Sequence, residues 1–186
     1  MTAAMLGLGK IMRRPAIGAL LPTFSGRPTL LLDAGASVDV RPEDLAEYAV
    51  VGSLYVENVL GVERPRVGLV NIGVEEEKGN EQVRTAYALL RELDINFVGN
   101  VEGRDVTAGE VDVLVCDGFV GNVVLKVVEG LGLGIFSMIR EEIGQSFQSR
   151  LGGLLVRTRL RTLGRRLDYF NYGGAPMLGL EGSPDQ

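Results

Sequence analysis

Val111-Asp-Val-Leu-Val-Cys-Asp-Gly-Phe-Val-Gly-Asn-Val-Val-Leu-Lys-Val-Val-Glu-Gly130 is the stretch around which the rest of this chain is read. Val111 to Cys116 is a short apolar, β-branched run, the pattern of a strand buried on both faces. Asp117 and Gly118 end it, and helical spacing begins at Phe119. A strand that turns directly into a helix aims the first backbone N–H groups of that helix above the sheet, which is how α/β proteins build anion sites. Asn122 and Lys126 are four residues apart, so both occupy one face of the opening turns. The reading therefore expects a phosphate-handling site with Asp117, Asn122 and Lys126 as its catalytic groups and Gly118 and Gly121 on the anion. The structural alternative is that the glycines only allow close packing and that Lys126 only pairs with Glu129 or Glu102.

Working outward, the same strand-then-polar-loop pattern recurs. Thr29–Leu32 reads as a buried strand ending in Asp33-Ala-Gly-Ala-Ser37, and Pro42, Glu43 and Asp44 open a helix running to about Gly61. Val67–Ile72 is a further strand, followed by a loop containing Lys78-Gly-Asn80 and a helix from Glu81 to Leu93. Ile95–Val98 is the next strand, closing in Gly99-Asn-Val-Glu102. Pro15–Pro22 reads as one more strand, residues 1–12 as the end of a helix, and the tail after Asp168 as one short apolar piece. Strands alternating with helices predict a mostly parallel sheet with helices on both faces. The loops 33–39, 71–80, 99–105 and 117–122 then share the sheet edge where such folds bind ligands. Asp33, Lys78, Asn80, Asn100 and Glu102 join the candidate substrate-binding residues on that ground. For Lys78-Gly-Asn80 and for Gly-Asn100-Val-Glu102, ordinary turn chemistry is the competing account.

Composition narrows the classes. The chain has 186 residues, 26 glycines and a net charge of −5, which argues for a soluble α/β protein and against general nucleic-acid binding. It contains no histidine and one cysteine, so Ser–His and Cys–His nucleophile pairs, His-ligated metal and disulfide frameworks are excluded within it. Lys10, Arg13 and Arg14 follow the apolar N-terminal run, the reverse of a secretory signal, and a cytoplasmic location is expected. Three tempting motifs fail. Gly130-Leu-Gly-Leu-Gly134 falls inside a helix with the wrong spacing for a dinucleotide fingerprint. Gly7-Leu-Gly-Lys10 lacks the first glycine of a P-loop. Cys116 lies in an apolar strand and reads as a structural thiol.

Residues 143–167 contain no acid but six arginines, Arg150, Arg157, Arg159, Arg161, Arg165 and Arg166; taking those charges from the net −5 leaves −11 on the rest. Val156, Leu160, Leu163 and Leu167 form one helical stripe flanked by them. A basic amphipathic helix of this kind meets a membrane surface or an acidic partner; the competing account is a solvated helix packed on another subunit. The expected division is an α/β core over 1–144, the basic segment over 145–167 and a C-terminal strand and tail over 168–186.

Taken together, Leu31-Leu-Asp-Ala-Gly-Ala36, Val67-Gly-Leu-Val-Asn-Ile-Gly73, Lys78-Gly-Asn80, Phe97-Val-Gly-Asn-Val-Glu-Gly-Arg-Asp105, Val111 to Lys126 and Tyr172-Gly-Gly-Ala-Pro176 resemble the bacterial phosphate acyltransferase family PlsX, in the family's order and spacing. The resemblance implies a three-layer α/β/α fold like that of phosphotransacetylases and isocitrate-type dehydrogenases, and a homodimer. It implies transfer of a fatty acyl group from acyl carrier protein to inorganic phosphate, giving acyl phosphate for phospholipid synthesis, without a cofactor or metal. It also implies peripheral contact with an anionic membrane through residues 145–167. The family's Asp-Ala-Met-Gly-Gly-Asp and Ser-Ala-Gly-Asn-Thr-Gly loops, which precede these motifs, are not in the chain, nor is the His-Gly string expected after Leu180. The family usually has Asn where this chain has Ser37. The chain therefore resembles the larger C-terminal part of such an enzyme. Two rival readings stand beside it, a nicotinamide-linked decarboxylating dehydrogenase on a similar fold and a non-catalytic phosphate-binding or membrane-docking fragment.

Overall fold

The computed structural model describes residues 12–167 and 177–178, with the side chains of Phe147, Leu163 and 165–167 excepted. The expected helix end at 1–12 and the C-terminal tail therefore lie outside the described residues, apart from Met12, Met177 and Leu178. In chain order the elements are β1 (Ala16–Leu21), β2 (Thr29–Leu32), α1 (Pro42–Leu60), β3 (Arg66–Asn71), α2 (Glu81–Arg91), β4 (Asn96–Glu102), β5 (Val113–Val115), α3 (Gly118–Gly144), α4 (Phe147–Leu167) and β6 (Met177–Leu178). They form one six-stranded sheet in the order β4-β3-β5-β2-β1-β6. The β4, β3, β5 and β2 strands run parallel, whereas β1 is antiparallel to both β2 and β6.

The apolar runs are continuous because both faces are covered. Successive side chains on a strand point to opposite sides. Leu30, Leu32, Val113 and Val115 thus enter a core under α1 and α2, while Leu31, Leu114 and Cys116 enter a second core with Leu125 of α3. Leu45, Tyr48, Ala49, Val51 and Val56 supply the first core from α1, and Ala86 and Leu90 supply it from α2. Two helices on one face and the start of α3 on the other give the expected three-layer α/β/α arrangement.

Local chemistry sets the helix ends. Pro42 opens α1, the Arg41 N–H donates to Asp44 Oδ2 at 2.8 Å, and Gly61 closes the helix at φ 70°. Asn80 caps α2 through Val83 N–H, and Asp117 caps α3 through Val120 N–H at 2.8 Å. Arg66, entering β3, is held by Asp112, whose Oδ2 accepts from both the Arg66 backbone N–H (2.8 Å) and Nε (3.0 Å). Burial pushes the Asp112 carboxyl up, but these Arg66 donors outweigh it and leave the group below the usual carboxylate range.

One expectation needs correction. The sequence reading ends the fourth strand at Val98 and places Asn100 and Glu102 in a loop. Instead β4 continues to Glu102, because β3 offers a full parallel ladder, pairing Leu69 with Asn100 and Asn71 with Glu102, once a bulge at Gly99 (φ 99°) has restored register. The loop begins at Gly103.

Beyond its first two turns α3 leaves the sheet. Of its 27 residues, Gly118, Gly121 and Leu125 are buried. Leu131, Leu133, Ile135 and Met138 are exposed, as are Leu151, Leu154 and Leu155 of α4, which packs back along α3 with Gly153 against Ile143. By length and composition α3 is apolar enough to cross a membrane, yet its N-terminal turns belong to the sheet.

Gly121 is where α3 seats: a Cβ there would overlap the backbone carbonyl of Asp33, whereas one on Gly130 would meet nothing within 4 Å. Gly121→Ala should therefore cost about 2–3 kcal/mol through overpacking against backbone, and Gly130→Ala should add up to about 1 kcal/mol from helix propensity. Urea denaturation of the two variants checks the pair; equal effects would show that α3 does not bear on the Asp33 loop.

Candidate active site

The carboxyl ends of the four parallel strands lie at one edge, and the connections leave them in opposite directions. After β3 the chain rises through α2 on one face; after β5 it rises through α3 on the other. A crevice opens between them at this switch point, as open α/β sheets dictate. It has a volume of about 190 Å3, a floor of Leu45, Leu69 and Cys116, walls of Val83 and Val120, and a mouth carrying Asn71, Gly79, Asn80 and Asp117. The N-termini of two helices, α2 at Asn80 and α3 at Asp117, thus meet one opening, and each adds positive potential from its macrodipole.

The structure distributes roles among the predicted residues differently from the sequence reading. Asp33 is fully buried: its Oδ1 accepts from the N–H groups of Ile17, Gly35 and Ala36 and its Oδ2 accepts from Ser37 N–H, all within 3.0 Å. It moulds the β2–α1 loop and does not face the crevice. The first-turn N–H groups of α3 are also mostly engaged. Gly118 donates to Ser37 O (2.8 Å), Val120 to Asp117 Oδ1 and Gly121 to Asp117 O. Phe119 N–H has no partner among the described residues. Gly118 and Gly121 thus serve close packing, the structural alternative weighed above, and Asp117 is a helix cap.

Asn122 is exposed, with its side chain beside Gly35 at the edge of the same loop. Lys126, one turn on and exposed, forms an ion pair with Glu129 at 2.8 Å. Asn80 Oδ1 is committed to the α2 cap (Val83 N–H, 2.9 Å). Asn100 is buried in β4, where its Nδ2 donates to Glu75 O at 2.7 Å and its Oδ1 has no partner among the described residues. Glu102 pairs with Arg104. Lys78 is exposed, its stem lying over Gly73. The six arginines of the basic segment belong to α4, away from the crevice; Arg165 and Arg166 fall in its last turn.

Sequence reasoning missed Asn71 and Ile72. Asn71 ties the loop together, its Nδ2 donating to Lys78 O at 3.1 Å while its Oδ1 accepts from Ile72 N–H at 2.8 Å. Ile72 stands at the mouth, 80% exposed. The available signal was Asn71 at the end of a buried strand, where polar groups meet the ligand edge of such sheets.

The chain matches the model of the family described as fatty acid synthesis protein over residues 1–184. It belongs to that family, PlsX. The chain is similar to the phosphate acyltransferase of Moorella thermoacetica, with 54% identity over 98% of this chain and 54% of that one. It is similar also to the phosphate acyltransferase of Brevibacillus brevis, with 52% identity over 97% of this chain and 55% of that one. The chain thus spans about half the length of the curated PlsX relatives it matches. Among solved structures it is similar in fold to a phosphotransacetylase from Streptococcus pyogenes, with a TM-score of 0.52 and 17% identity over 66% of this chain and 43% of that one. The EutD phosphotransacetylase from Staphylococcus aureus gives 0.51 and 18% over 65% and 43%. The dehydrogenase alternative is not favoured by these relatives.

Proposed function

We propose that the protein transfers a fatty acyl group from acyl carrier protein to inorganic phosphate, in the cytoplasm, to make acyl phosphate for phospholipid synthesis. The observation that carries the reading is the pair of helix N-termini opening on one apolar crevice, in a chain about half identical to phosphate acyltransferases. Phosphate is partly a dianion at neutral pH, and a thioester releases a thiol of pKa about 8.5, so direct attack needs little acid or base help. The protein has to hold two reactants together and stabilise the carbonyl oxygen as charge develops on it.

In this reading the phosphate lies at the crevice mouth, on the Glu81 and Gln82 N–H groups of α2 and on Phe119 N–H, with Lys78 and Lys126 supplying positive charge. The side-chain amides of Asn80 and Asn122 are the oxyanion donors. Lys126 reaches the phosphate by turning away from Glu129, its ion-pair partner at 2.8 Å. Asp33, Asp117 and Asn100 hold the loops in place. Incubating acyl carrier protein thioester and phosphate with the protein, without metal or nucleotide, should yield acyl phosphate, trapped with hydroxylamine. Lys126→Ala should lower the rate at least tenfold, about 1.4 kcal/mol in the barrier. An unchanged rate removes Lys126 from the site, and no acyl phosphate from the unsubstituted protein sinks the activity.

The α3–α4 hairpin supports a second part of the proposal, a homodimer that meets an anionic membrane peripherally. Its Leu131, Leu133, Met138, Leu154 and Leu155 are exposed apolar side chains of the kind that subunit contacts cover, and Arg150, Arg157, Arg159 and Arg161 give α4 a charge that suits acidic headgroups. Sedimentation velocity should give a dimer, and flotation with vesicles should need anionic lipid and fail at high salt. A monomer, or flotation indifferent to lipid charge, would count against the corresponding half.

A further inference from the structure

We infer that the crevice between α2 and α3 is the seat of the first several methylenes of a saturated acyl chain, with the chain's anionic or thioester end at the mouth; this rests on the phosphate reading of that mouth.

The crevice interior is apolar for a reason that can be traced residue by residue. Of the polar side chains on its wall, Asn71 has both ends engaged, Nδ2 on Lys78 O and Oδ1 on Ile72 N–H. Asn80 Oδ1 is held by Val83 N–H, and Asp117 Oδ1 by Val120 N–H. Each turns its acceptor to a helix cap or a loop and leaves the interior to Leu45, Leu69, Val83, Val120 and the buried Cys116. Burial pushes the Cys116 thiol well up, so the floor stays neutral.

An interior of that composition offers nothing to a second phosphate or to a sugar. At about 190 Å3 it exceeds the roughly 150 Å3 apolar cavity that accepts benzene, which makes room for on the order of six to eight carbons. Ile72, exposed at the mouth, lies where an emerging chain would pass. Polar donors at the mouth and aliphatic walls beneath them match the two ends of an acyl phosphate.

The test is a length series of n-alkylphosphonates, methyl to dodecyl and below their micellar concentrations, titrated calorimetrically into the full 186-residue chain beside the matching 1-alkanols. Affinity should rise about fourfold per methylene and level off near six to eight carbons. Val83→Phe should move that break to shorter chains without weakening methylphosphonate. Ile72→Gln, an uncharged polar substitution on an exposed side chain that leaves the core alone, should weaken octylphosphonate and spare methylphosphonate. A phosphonate affinity independent of length overturns the proposal. So does a rise that neither substitution alters, since the chain would then lie elsewhere. If the alkanols keep the slope and the break while no phosphonate binds more tightly than its alkanol, the apolar seat stands and the phosphate reading of the mouth falls.

Discussion

The Asp33 carboxylate is the interaction on which the rest of the structure depends. It accepts four backbone N–H groups, from Ile17 of β1 and from Gly35, Ala36 and Ser37 of the loop that follows it. A buried carboxylate needs such partners to offset its desolvation, and with them it fixes the shape of a loop that has no regular structure of its own. The loop then positions what lies beside it. Asp33 N–H bonds to Cys116 O and Cys116 N–H to Leu32 O, tying β2 to β5; Ser37 O receives Gly118 N–H; and Gly121 bears on the Asp33 carbonyl. The start of α3, and hence one side of the crevice, is thus placed by a residue that does not line the crevice.

That arrangement explains how much of the protein could be read before the structure was seen. The buried strands were legible because β2, β3 and β5 are covered on both faces and read as unbroken apolar runs. The helix starts were legible because Pro42 stands at a first helical position and Asn80 and Asp117 at N-caps. The end of β4 was not: Gly99 and Asn100 carry turn chemistry in sequence, and the partner ladder on β3 overrides it. The site was legible as a place and much less so as a set of roles. Asp33, Gly118 and Gly121 look like anion ligands in sequence because strand–Asp–Gly turns serve both anion binding and helix seating, and only tertiary contacts separate the two. Nothing in the order of residues shows that Gly118 N–H finds Ser37 O across the sheet edge.

The two halves of the described structure follow different rules. In the sheet and the helices packed on it, the polar side chains that line the crevice, Asn71, Asn80 and Asp117, each have a local partner, and what remains is a dry, shaped interior beneath two helix N-termini. The α3–α4 hairpin carries exposed leucines on both helices and exposed arginines along α4. On the proposed activity these are complementary. On that proposal the product is an amphiphile, and one molecule has to hold its tail away from water during the chemistry and then release it toward lipid. The crevice suits the first task and the hairpin the second.

The account's central claim is that phosphate binds at the crevice mouth, between the starts of α2 and α3. Titrating inorganic phosphate into the 15N-labelled protein and following backbone amides tests it most directly. The account predicts saturable shifts centred on Glu81, Gln82 and Phe119, with the α4 amides unmoved. Shifts confined to Arg150–Arg161 of α4, or no saturable shift at those three amides, would contradict it.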